Sequence, residues 1–104
     1  MKYKLYQIPF PKDGDEKAEA TYMNYCFKSL NRIDGVKIER YEMVYEGEIP
    51  DEIVPVDALE MIYMKLNARH PAGYKTRSVS VSDIVFLNNQ YYYCDSFGWK
   101  RVYP

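Results

Sequence analysis

RSVSVSDIVFLNNQYYYCDSFGWKRV, residues 77–102, decides the fold. Val79, Val81, Val85 and Leu87 fall on one parity, and Ser78, Ser80, Ser82, Ile84 and Phe86 on the other. Period-two spacing rich in β-branched residues predicts a strand that runs to Leu87. Asn88-Asn89 follows, and asparagine tolerates the positive φ that tight hairpin turns require. Gln90 to Cys94 is the return strand. A two-residue loop then gives one face Val85, Leu87, Tyr92 and Cys94, and the other Ile84, Phe86, Tyr91 and Tyr93. Asp95-Ser96-Phe97-Gly98 is a second turn, and Trp99 to Tyr103 closes as a short edge strand stopped by Pro104.

Both faces of this hairpin are apolar or aromatic, whereas a half-solvated antiparallel sheet normally shows one polar face. The face continuous with Val79 and Val81 is expected on the core. The opposite face, polar at its serine end and aromatic at its turn end, either meets a partner or lies under a second helix. Asp83 falls on the core parity, where a bare carboxylate is costly. The strand must therefore kink there, or Asp83 must accept hydrogen bonds from nearby serine hydroxyls or backbone amides. Ser80, Ser82, Asp83 and Asp95 are accordingly expected to be structural polar groups.

Working outward, Tyr3 to Ile8 alternates as a first strand and is stopped by Pro9 and Pro11. Asp15 can cap a helix from Glu16 to Asn31, with Ala20, Met23, Phe27 and Leu30 as its core stripe beside Cys26. Asp34-Gly35 supplies its stop. Ile38 to Glu46 reads as a strand with one charged face, and Gly47 to Pro55 as an acidic loop. Asp57 and Glu60 fit a capping box, with Val56 and Met61 in the staple positions. Leu59, Ile62 and Leu66 give the buried face of a helix ending near Asn67, and His70-Pro71 terminates it. His70 to Arg77 is the least regular stretch.

The formal net charge of −1 lacks the basic excess of a dedicated nucleic-acid binder. Charge is nevertheless blocked: Glu39 to Glu60 is acidic with only Arg40 opposing it, while Lys65, Arg69, Lys75 and Arg77 follow. Met1-Lys2-Tyr3-Lys4 leads straight into a strand without the apolar segment of a secretion signal, and no run approaches membrane-spanning length. Cys26 and Cys94 stand in no metal-ligand spacing and read as buried thiols of a cytoplasmic protein.

Catalytic chemistry finds little support. His70, the single histidine, could be joined to Ser78, Ser80, Ser82 or Ser96 and to Asp83 or Asp95 as a triad, but no nucleophile-elbow sequence surrounds those serines. Its simpler reading is a residue at the end of the second helix, capping it or facing solvent. Neither cysteine stands in an evident cationic setting that would activate it. No metal or cofactor is called for. Tyr91, Tyr93, Trp99, Lys100 and Arg101 could stack single-stranded bases, yet Tyr, Trp and Arg equally characterise protein interfaces. The candidate partner-binding residues are Tyr91, Tyr93, Phe86 and Trp99 on the sheet and His70, Lys75 and Arg77 on the loop.

YKLYQI at 3–8, YEMVYEGEI at 41–49, LEMIYMKLN at 59–67 and the whole of 70–102 resemble the YodL-like family. The Ser-x-Ser-x-Ser-Asp and Asp-Ser-x-Gly-aromatic segments are the most specific parts. Thr76-Arg77 stands where the family often has Gly-His, and Trp99 where it often has Phe. The resemblance implies a non-enzymatic accessory domain of Gram-positive bacteria and their mobile genetic elements. The expectation is one α+β domain over 1–104, a mainly antiparallel sheet of four to five strands packed with two helices in the order β-α-β-α-β-β-β. The expected function is cytosolic binding of a protein partner, a second copy of the chain included, through the aromatic sheet face or the 70–77 loop. The competing reading is a nucleic-acid-associated or counter-defence accessory protein of a mobile element; neither involves a membrane.

Overall fold

The hairpin around Asn88-Asn89 forms as its turn chemistry requires. Both asparagines take positive φ (50° and 64°), and Leu87 pairs with Gln90 across a two-residue loop. The computed structural model describes residues 1–104. Strands β1 (Lys2–Gln7), β2 (Glu42–Glu48), β3 (Ile84–Leu87), β4 (Gln90–Asp95) and β5 (Gly98–Val102) alternate with helices α1 (Glu16–Tyr25) and α2 (Pro55–Ala68) in the predicted β-α-β-α-β-β-β order. They form one antiparallel sheet of order β2-β1-β3-β4-β5, an α+β architecture.

Helix α2 covers the face that carries Tyr3, Leu5, Val85, Leu87 and Cys94, as the valine parity predicts. Its Ala58, Leu59, Ile62 and Leu66 are buried at helical spacing. Each of the larger three contributes about 2 kcal/mol through removal from water. Its start differs from expectation. Pro55 takes the first helical position with Val54 as the cap residue, so Asp57 lies in the first turn. Proline's fixed φ and missing N–H suit that position. Val56 and Met61 are exposed and form no buried staple.

Helix α1 departs further. Ala18 N–H donates to Asp15 Oδ1 at 3.1 Å, the predicted cap, but the helix stops at Tyr25 and buries none of its residues. The stripe expected in the core is outside it: Met23 is 70% and Phe27 50% exposed, and only the neighbouring Cys26 is buried. The cause is tertiary. Phe27 adopts φ 63°, and its N–H donates to Ser82 Oγ at 2.9 Å, 55 residues away. Leu30–Arg32 and Ile38–Arg40 are then 3-10 turns rather than helix and strand, so β2 begins at Glu42. Arg40 lies over the Tyr25 ring at 3.5 Å and donates to the Gly35 carbonyl at 2.8 Å, which closes this excursion.

The strand expected from Val79 begins only at Ile84. Val81-Ser82 is a turn with Ser82 at φ 88°, and Asp83 accepts hydrogen bonds just beyond it. Kink and hydrogen-bonded carboxylate therefore occur together, the bonds coming from a backbone amide and Gln7 rather than from serine hydroxyls. Before the turn, Asn67 serves as a substitute strand partner: Val79 N–H donates to its Oδ1, and its Nδ2 donates to the Val79 carbonyl at 3.1 Å. Val79 is buried, so Asn67→Ala leaves both groups unpaired; urea unfolding should show a loss of about 2 kcal/mol.

A second packing constraint sits at the β1–β2 pair. Gly47 faces Tyr3, and a Cβ built there would lie 2.5 Å from the Tyr3 hydroxyl oxygen and 2.6 Å from ring carbon Cζ. Tyr3 is fully buried and has nowhere to swing. Gly47→Ala should therefore cost about 1–3 kcal/mol, read as a lower thermal midpoint.

Candidate functional site

Register across the five strands defines what the sheet shows on the side away from α2. Paired residues share a face, so Glu46, Lys4, Phe86, Tyr91 and Val102 form one row. Met43, Tyr6, Ile84, Tyr93 and Lys100 form the next. The two rows have different fates. Segment 27–41 is fastened over the Ile84–Tyr93 end: Tyr93 donates its hydroxyl to the Lys28 carbonyl at 2.6 Å, Leu30 N–H donates to Asp95 Oδ1 at 3.1 Å, and Tyr41 donates to the Ser82 carbonyl at 2.6 Å. Ile84 and Tyr93 are completely buried. Burial first, then the nearby Asp95 and Asp83 carboxylates, pushes the Tyr93 phenol upward.

Tyr93 is thus a structural residue and not the partner-binding one expected from its parity. The cover is a loop with 3-10 turns, not the helix considered from sequence. Tyr91 and Phe86 are only half-buried at the turn end, with ring centroids 4.7 Å apart. Tyr6 joins them, 6.2 Å from Tyr91. Met43, 46% exposed, and half-buried Val102 extend the band to both edges. Tyr6 was missed by sequence reasoning; its parity was visible, but not that β1 lies beside β3.

The other candidates lie elsewhere. Trp99 pairs with Cys94, which puts it on the α2 face against the core. His70 is exposed beyond the end of α2, its ring 5.1 Å from that of Tyr74; the residue capping α2 is Arg69. Lys75 is exposed. Arg77 turns inward, donating to the Ile8 carbonyl at 2.8 Å and standing 3.7 Å from both Asp83 Oδ1 and Cys26 Sγ. The seven residues therefore divide among the outer sheet face, the α2 face and the 70–77 loop, and form no single site.

Arg77 belongs to a buried polar network. Gln7, with no exposed surface, donates through Nε2 to Asp83 Oδ2 at 2.9 Å and to the Arg77 and Ser78 carbonyls at 3.2 and 3.3 Å. Its Oε1 accepts from Thr76 at 2.6 Å. Ser80 N–H donates to the same Asp83 oxygen at 2.9 Å. Burial raises the Asp83 carboxyl to about 6, against the pull of the Ser80 amide, Gln7 and Arg77. Cys26 has Arg77 as a cationic neighbour, but burial outweighs it and the thiol is pushed up. Burial likewise pushes Cys94 up to about 12. Both thiols are held protonated, the inert state of a cysteine. The whole arrangement fastens the 76–83 segment to β1, which is structural work.

No three side chains among the His, Cys, Asp and Glu residues converge on a point where a metal ion could be held. No helix is long and apolar enough to cross a membrane. No curated protein and no solved structure matches the chain significantly. The model of the YodL-like domain matches residues 2–103, almost the full length. The chain belongs to the YodL-like domain family.

Proposed function

We propose that this chain is a non-enzymatic cytoplasmic accessory domain that works by binding another protein through the outer sheet face around Tyr6, Phe86 and Tyr91. The observation that carries this reading is the half-buried aromatic trio, continuous with exposed Met43 and with Val102, at the end of the sheet that segment 27–41 leaves uncovered. Tyrosine combines a large apolar area with a polar tip at low conformational cost, which is why it concentrates at interfaces. The 70–77 loop supports the reading less well, because Tyr74 is buried and donates to the Arg77 carbonyl at 2.6 Å while Arg77 itself is engaged inside. That same engagement weakens a nucleic-acid reading built on Lys65, Arg69, Lys75 and Arg77, since one of its four cations faces the interior.

The experiment is affinity capture of the tagged chain from native cell lysate beside a Tyr6→Lys/Tyr91→Glu bait. The opposite charges replace two rings 6.2 Å apart on β1 and β4, the strands on either side of β3, at positions that are not fully buried, so the sheet is retained. A protein recovered with wild type and depleted at least about tenfold with the variant supports the reading. Nucleic acid as the recovered species, or equal recovery of protein by both baits, contradicts it.

A further inference from the structure

The sheet has two free edges, and they are finished differently. Edge strand β2 carries a bulge at Val44 between the Leu5–Tyr45 and Tyr6–Met43 pairs, and bears Glu42, Glu46 and Glu48. Bulges and charges of this kind prevent a further strand from adding. Edge strand β5 pairs with β4 in unbroken register from Gly98 to Val102. Its backbone orientation follows from β4. Cys94 N–H donates to the Asp83 carbonyl, and the Cys94 carbonyl accepts from Ser82 N–H, so Cys94 faces the β3 side. Alternation turns Tyr91 and Tyr93 toward β5, where they meet Val102 and Lys100. Trp99 and Arg101, set between those positions, therefore direct their N–H and C=O groups out of the sheet.

A groove runs beside this open edge, on the α2 side. It has a volume of about 430 Å³ between Val56, Leu59 and Glu60 of the helix and Tyr92, Phe97 and Trp99 of the sheet. A further hollow of about 210 Å³ shares Glu60, Gly98 and Trp99 with it and reaches Tyr63. Its rim is apolar and open: Phe97 is 92% and Val56 67% exposed. Trp99 and Arg101 place their side chains on this side, since they pair with Cys94 and Tyr92. A strand laid along β5 would direct every second side chain into the groove.

We propose that β5 and this groove bind an extended, acidic segment of a partner protein, which adds as a sixth strand. Unpaired backbone groups on Trp99 and Arg101 require a strand as occupant. The apolar groove calls for alternate apolar side chains. Arg101 already has Glu60 beside it in the groove, whereas Lys100 lies on the opposite face of an edge strand without acidic residues and calls for carboxylates at the partner's alternate positions. A second copy fits poorly, because an antiparallel pair of β5 strands centred on Lys100 sets that lysine against its equivalent, one shifted by a residue sets it against Arg101, and β2 is bulged. This surface lies on the opposite side of the sheet from Tyr6 and Tyr91 and is independent of that face.

The test is selection of a displayed random dodecapeptide library on the full chain, followed by titration of the enriched peptide with a fluorescent label. Enriched sequences should alternate apolar residues with Asp or Glu, and bound peptide should slow amide exchange at Trp99 and Arg101. Arg101→Pro removes an N–H that points away from the sheet together with the guanidinium at the groove, at a position where edge strands accept proline, and should weaken binding at least about tenfold, whereas Arg101→Ala, which keeps the N–H, should weaken it less. Val56→Glu fills the groove without touching β5 and should match the effect of the proline. Four results would overturn the proposal: no enrichment; enriched peptides without alternation or acidic residues; binding that survives both Arg101→Pro and Val56→Glu; or concentration-dependent dimers abolished by Arg101→Pro, which would make a second copy the occupant.

Discussion

Replacing Gln7 with leucine should lower stability by about 3 kcal/mol, among the largest effects of any single substitution in this chain. Leucine fills a similar volume, so the loss is polar rather than steric. Its site has no exposed surface, and the lost amide serves four groups at once: Asp83, Thr76 and the carbonyls of Arg77 and Ser78. Asp83 would keep Ser80 N–H and the Arg77 guanidinium at 3.7 Å, but would lose its side-chain donor in a setting where water cannot replace it. For a domain whose total stability is of order 5–15 kcal/mol, the shift in urea midpoint should be plain, with the denaturant slope unchanged. A loss below about 1 kcal/mol would mean that solvent reaches this network and that it does not hold the 76–83 segment to β1.

Stability should also fall as pH rises from 4 to 7, through Asp83. Its carboxyl is raised from an ordinary 3.8 to about 6 in the folded chain, chiefly by burial. Between those values the unfolded chain has released the proton and the folded chain still holds it. The folded state therefore binds more protons, and stability declines with rising pH across the window and levels off above about 6. The size is about 3 kcal/mol for a shift of this order. Asp34 acts in the opposite sense but below the window, because the Tyr25 hydroxyl, then Arg40, lowers its carboxyl. Asp83→Asn removes the titration while its amide oxygen can still accept from Ser80 and Gln7. The stability difference, wild type minus variant, should thus fall by about 2 kcal/mol between pH 4 and pH 7, most of the full shift. A constant difference across that range would show that Asp83 ionises normally.

How much of this was legible in the sequence depends on how local each cause is. The β3–β4 hairpin was legible in register and in faces, because Asn88-Asn89 and the flanking alternation act within a dozen residues. Asp83 was legible as a problem, a carboxylate on core parity, and the structure resolves it with the Ser82 turn and the donors on Gln7 and Ser80. Gln7 itself gave no signal, since a glutamine near the end of a strand is ordinary. The early end of α1 was not legible either. Its apolar spacing continues through Phe27 and Leu30, and only the bond from Phe27 N–H to Ser82 Oγ shows why the chain leaves the helix there. That bond also decides the candidate site. Once the chain turns at Phe27, segment 27–41 is carried over Tyr93 and spares Tyr91, although both share one parity. The side of Trp99 has a local cause: Asp95 pairs with Gly98 across a two-residue turn, with Gly98 at φ 91°, so Trp99 pairs with Cys94 and lies on the α2 face.

Photocrosslinking in native cells asks whether the uncovered aromatic end of the sheet is the surface on which this domain meets another protein. A benzoylphenylalanine at position 91 keeps the tyrosine's first ring and extends it with a photoreactive benzoyl group toward solvent on the outer face; one at position 24, on the exposed side of α1, serves as reference. A discrete protein adduct is expected from position 91 and none from position 24. Adducts at position 24 alone, or from neither position while the same residue at position 75 crosslinks, would contradict it and move the binding surface off the sheet.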